Sequence, residues 1–148
     1  MQKVLRSLAV ILACLLLLNT TAAAFASNDI MPLASNYIAG TQSDIIPQSG
    51  GKLLITFRVT APAPMTTLGA ASVLVYEDDG TGARWVKTIL PTDPDCENML
   101  GSGMYHGSNV TYTGTPGYKY YAKVYLTARN STGFDTIPST TPTVTAIK

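Results

Sequence analysis

Histidine occurs once in these 148 residues, cysteine twice, and charged side chains make up only 13% of the chain. Each scarcity removes a class of chemistry. A Ser-His-Asp or Cys-His arrangement would have to use His106, the lone histidine, and no motif ties Cys96 to it. One histidine and a single mature cysteine also fall short of the three or four protein ligands that a zinc site takes. The basic residues stand singly rather than in the clusters that neutralise phosphates, so nucleic-acid binding is not expected. Beyond residue 50 there is no long charged or alanine-rich stretch of helical period. With no catalytic constellation visible, the chain is read as a non-enzyme, and no cofactor is implied.

What is present begins at the N-terminus. Lys3 and Arg6 precede an apolar run from Leu8 to Leu18, and small residues come next, ending Ala24-Phe25-Ala26. A basic start, a short hydrophobic stretch and an Ala-x-Ala site match a secretory signal peptide over residues 1–26, cleaved between Ala26 and Ser27. The mature protein is therefore expected to be secreted and extracellular. The apolar run is well under the ~20 residues of a spanning helix, so no membrane attachment is expected after cleavage. Ile11-Leu12-Ala13-Cys14 loosely resembles a lipobox, but Leu15 to Leu18 stay apolar where a lipoprotein turns polar. Cys14 leaves with the signal, so Cys96 has no intramolecular partner. It is either an incidental thiol or the link of an intermolecular disulfide in a homo-oligomer. Losing Lys3 and Arg6 leaves eight basic residues against nine acidic ones. The chain ends Thr145-Ala146-Ile147-Lys148, with no hydrophobic tail for covalent wall anchoring.

From residue 51 the dominant period is two, which predicts an all-β domain over residues 51–148. Leu53, Ile55, Phe57 and Val59 share one face of a strand over residues 52–60. Over residues 69–77, Ala71, Val73 and Val75 alternate with Ser72, Leu74 and Tyr76, and Asp78-Asp79-Gly80-Thr81-Gly82 turns the chain into a returning strand over 84–90. Residues 91–107 lack periodicity and are rich in Pro, Gly, Asp and Asn, so they read as the longest loop. A short strand is expected at 109–113. Tyr118 to Arg129 is the most regular strand, with Tyr120, Ala122, Val124, Leu126 and Ala128 on one face. Asn130-Ser131-Thr132-Gly133 then turns the chain towards a last strand around 143–147, with Pro138 and Pro142 marking an edge. Residues 27–50 are weakly patterned, with one edge strand near Tyr37 and Ile38.

Six or seven short strands with Gly and Pro turns favour a single immunoglobulin-like or fibronectin-III-like β-sandwich after the cleaved signal peptide. Tyr120-x-Ala122-x-Val124-x-Leu126-x-Ala128-x-Asn130-x-x-Gly133 resembles the penultimate strand of fibronectin type III domains, with the tyrosine two residues early. A second resemblance rests on the order of Gly51-Lys52-Leu53 to Val59, Leu68-Gly69-Ala70, Val75-Tyr76-Glu77, Trp85-Val86-Lys87-Thr88, His106, Val110-Thr111-Tyr112-x-Gly114 and Gly117-x-x-Tyr120-Tyr121-Ala122. This series is similar to a family of small secreted proteins from Gram-positive, largely gut-associated bacteria. The resemblance implies bacterial origin and export; the family has no assigned function and transfers no active site.

The candidate binding residues come from the strand faces. If Val73, Val75, Tyr120, Ala122 and Val124 face the core, then Leu74, Tyr76, Tyr121 and Tyr125 face out on neighbouring strands. Should Val86 and Leu90 be buried, Trp85 and Ile89 join them, edged by Lys119 and Lys123. Such an aromatic surface suits a surface glycan, a cell-wall polymer or a protein partner. Cross-strand aromatic pairs also simply stabilise sheets, and Trp85 fits equally as an inward core residue. A weak calcium candidate is formed by Asp93, Asp95 and Glu97, whose alternating oxygens lack the spacing of an EF-hand. The leading expectation is a secreted, non-enzymatic recognition protein; the alternatives are a self-associating exported protein, or a small hydrolase or enzyme inhibitor using the 91–107 loop.

Overall fold

The computed structural model describes residues 35–148; the proposed signal peptide and cleavage site at Ala26 and Ser27 lie outside them. The described residues are all-β, with two single 3-10 turns and no α-helix. Seven strands form one antiparallel sheet: β1 (Gly40–Pro47), β2 (Lys52–Asp78), β3 (Ala83–Ile89), β4 (Leu100–Thr113), β5 (Lys119–Asn130), β6 (Gly133–Thr140) and β7 (Val144–Thr145).

The two strands expected at 52–60 and 69–77 are one continuous strand of 27 residues. Its first part lies between β1 and β4, with Ile55 opposite both Ile45 and Val110. Its last part lies between β3 and β5, with Val73 opposite both Ile89 and Val124. β6 extends the sheet beyond β5, and the whole is curled and open. Pro62 and Pro64, which cannot donate to a ladder, fall where the pairing with β4 is broken between Thr60 and Met65.

The core follows the parity read from the sequence. Leu53, Ile55 and Val59 are fully buried and Phe57 nearly so, as are Tyr120, Ala122, Val124, Leu126 and Ala128 on β5. One parity fails. The register slips between Ala70 and Ser72, so Ala71 is the extra residue of a β-bulge, and Ala70 is buried in its place.

Three further expectations are corrected. Residues 100–107, read as part of a loop, belong to β4. In this part of β4 the inward positions opposite the core of β2 are Gly101, Gly103, His106 and Ser108, so no apolar alternation announces it, whereas Val110 and Tyr112 mark the end expected as a strand. The partner of β5 after the Asn130 turn is β6, which carries Pro138 on the edge, and only Val144–Thr145 pairs of the last segment. The N-terminal edge strand starts at Gly40 rather than near Tyr37 and Ile38. The turn chemistry holds as read. Asp78 Oδ1 accepts from the Gly80 and Gly82 amides at 2.8 and 3.2 Å, and Asn130 Oδ1 accepts from those of Thr132 and Gly133 at 2.8 and 3.2 Å.

Candidate functional site

The outward face of β3, β2 and β5 carries an aromatic ladder. Tyr76 lies opposite Trp85 on one side and Tyr121 on the other, and Leu74 lies between Thr88 and Lys123. The Tyr76 and Tyr121 rings are stacked, with centroids 4.8 Å apart and planes 3° from parallel. Lys123 Nζ stands 5.3 Å from the centre of the Tyr76 ring, within reach of its negative face. Trp85 is 60% exposed, and its Nε1–H donates to Thr88 Oγ1 at 3.2 Å. Tyr125 is outward and half-buried further along β5, between Ser72 and Pro138.

All five residues singled out from the sequence, Leu74, Tyr76, Trp85, Tyr121 and Tyr125, are therefore on the outer side, and three of them form the ladder. Trp85 is not a core tryptophan. Ile89 does not join the face: the pairing slips between Val75 and Tyr76, so Val86 is an extra residue and β3 changes parity. Ile89 is consequently buried opposite Val73, and Leu90 is exposed.

Beneath one end of the ladder, on the inward parity of Val73 and Val75, sits a carboxylate. Glu77 is only 7% exposed. The Tyr120 hydroxyl donates to its Oε2, and Arg84 Nη2 donates to its Oε1 at 2.6 Å. The Thr115 amide in turn donates to the Tyr120 oxygen at 2.8 Å. The Tyr120 hydrogen bond first, then Arg84, hold the Glu77 carboxyl below the usual carboxylate range against the opposing effect of burial. Burial, then the bond to Glu77, push the Tyr120 phenol up, which keeps it a donor. In the sequence Glu77 reads as part of the hairpin turn; its shared parity with Val73 and Val75 is the signal that it points inward.

The remaining candidates are not gathered into a centre. Among the described residues no three His, Cys, Asp and Glu side chains are grouped as a metal would need, Asp93, Asp95 and Glu97 included. Asp93 instead closes a turn, its Oδ2 accepting from the Leu90 amide at 3.1 Å. His106 Nε2 sits 2.9 Å from the Asn98 carbonyl, which places the ring proton on that nitrogen. Cys96 is a free, partly buried thiol whose pKa is raised by burial and by Asp93, Glu97 and Asp95 around it. The partial burial and acidic surroundings of the sulfur work against a thiolate there.

No family model and no curated protein matches the chain. Among solved structures it is similar to a late embryogenesis abundant (LEA) protein determined in solution, at 16% identity over 98% of this chain and 88% of that chain, with a TM-score of 0.43. A likeness of that size assigns nothing to the ladder.

Proposed function

We propose that this is a secreted, non-enzymatic recognition protein that uses the Trp85–Tyr76–Tyr121 ladder, with Lys123 and Tyr125 beside it, to bind a surface glycan or cell-wall polymer. The observation that carries the reading is the flat Tyr76–Tyr121 stack continued by an exposed Trp85. The exposed Trp85 offers a planar face that suits the apolar face of a sugar ring, the Tyr76–Tyr121 stack packs beside it, and the Lys123 ammonium adds one positive charge. Export through residues 1–26, kinship with the secreted Gram-positive family and an immunoglobulin-like or fibronectin-III-like β-sandwich belong to the same proposal. N-terminal sequencing of protein recovered from the culture medium tests the first, with Ser27 as the expected start.

Co-sedimentation with insoluble peptidoglycan, chitin, cellulose and whole bacterial cells tests the binding. Saturable binding to at least one polymer, weakened several-fold by Tyr121→Ala and by Trp85→Ala, is expected. Binding untouched by both substitutions, or to none of the four materials, rejects the ladder as a glycan site. A second reading has its own observation: among the described residues β3 pairs only with β2, and β6 only with β5, so each has an edge without a strand partner there. Free edges are templates for pairing between copies. Light scattering that shows a growing mass with concentration would favour self-association.

A further inference from the structure

The outward face on the other half of β2 holds a recess that the ladder does not use. Arg58 lies opposite Gln42 of β1 and Gly107 of β4, and Thr60 lies opposite Tyr105 in the next outward row. Gly107 puts no side chain between Arg58 and Tyr105, and the Tyr105 hydroxyl lies over it. A Cβ at that position would come to 3.1 Å from the Tyr105 hydroxyl and 3.5 Å from the Arg58 Cβ. The space that opens is a recess of about 370 Å³ bordered by Gln42, Arg58, Tyr105 and Asn109. An adjoining hollow of about 280 Å³ shares Gln42, Arg58 and Tyr105 and adds Thr60. Volumes of this order lie at the small end of ligand sites, the size of one or two sugar residues.

The chemistry of the lining selects further. No acidic residue lines either hollow. Both ion pairs among the described residues are made by Arg84, so neither uses the Arg58 guanidinium. A guanidinium fork pairs with a carboxylate through two parallel hydrogen bonds. Tyr105, 60% exposed, offers a ring face and a hydroxyl beside it. Gln42, Asn109 and Thr60 supply amide and hydroxyl groups that both donate and accept, as sugar hydroxyls require.

We propose that this recess binds a carboxylated sugar residue of the uronic-acid type, with Arg58 on the carboxylate, Tyr105 against the ring, and Gln42 and Asn109 on the hydroxyls. The site stands on different residues from the ladder, at the other end of β2 and otherwise on different strands, so either can fail without the other. The test is an amide NMR titration of the full-length chain with galacturonate, glucuronate, galactose and acetate. Saturable shifts at Gln42, Tyr105, Gly107 and Asn109 are expected with at least one uronate, with galactose and acetate each about tenfold weaker. Arg58→Gln is expected to weaken uronate binding about tenfold, the loss of one charge-assisted pair. Gly107→Val should abolish it by filling the recess, with amide shifts outside β1, β2 and β4 unchanged as the check on folding. Tyr121→Ala should leave it intact. The proposal is overturned by no saturable shift with either uronate, by acetate or galactose binding as tightly as the uronates, by Arg58→Gln without effect, or by loss of the shifts in Tyr121→Ala.

Discussion

A carboxylate placed among valines has to be neutralised or fully hydrogen-bonded, and Glu77 is hydrogen-bonded by Tyr120 and Arg84. Replacing Tyr120 with Phe keeps the ring but leaves the Thr115 amide and one Glu77 oxygen without their partner. It should cost about 1–3 kcal/mol in urea unfolding. The direction of the Glu77 shift sets a pH dependence. The folded carboxyl titrates lower than the unfolded one, so its stabilisation is present above the ordinary glutamate range and is lost as pH falls through the folded value. Stability of the native protein should therefore decline on the acid side, and Glu77→Gln should flatten that part of the profile. Trp85 makes the contrasting case. With most of its surface in water, Trp85→Ala should change the thermal unfolding free energy by no more than about 0.5 kcal/mol, so any loss of ligand binding in that variant is local.

Among the elements, β2 decides the architecture, and the residue that lets it do so is Gly69. Its φ of +146° belongs to glycine. A Cβ there would run into the Met99 carbonyl and the His106 ring as β2 passes from β4 to β5. Gly69→Ala should destabilise by more than about 2 kcal/mol in urea unfolding, since neither backbone can yield cheaply. Much of this layer is legible in the sequence. The inward faces of 52–60 and of β5 and the outward placement of Tyr76, Tyr121 and Tyr125 come from a period of two, and the two Asx-closed turns from their Asp, Asn and Gly residues. The parts that are not legible are set by departures from that period. The Ala71 bulge and the slip at Val86 each exchange the two faces of the strand beyond them, which is why Ile89 rather than Leu90 is buried. The first part of β4 is hidden because glycine, histidine and serine at its inward positions show no alternation, and with it are hidden Tyr105 and Gly107 of the recess. Two prolines inside β2 also conceal that 52–60 and 69–77 are one strand.

For the molecule as a whole, the long shared strand makes the fold non-local. Lys52 pairs with Thr113, and Thr67 with Arg129, so neither half of the sheet closes before most of the chain is in place. Refolding from urea should accordingly take milliseconds to seconds rather than microseconds, which stopped-flow measurement will show. The placement of the only tryptophan has an optical consequence for both halves. Trp85 stands in water on one half of the sheet, and the half that bears Arg58 and Tyr105 contains no indole. A molecule settling on the ladder would shield that indole and change the native fluorescence, whereas one settling between Arg58 and Tyr105 would leave the emission as it was. The unlabelled protein thus reports, by whether its own emission responds, which half of the sheet has been occupied.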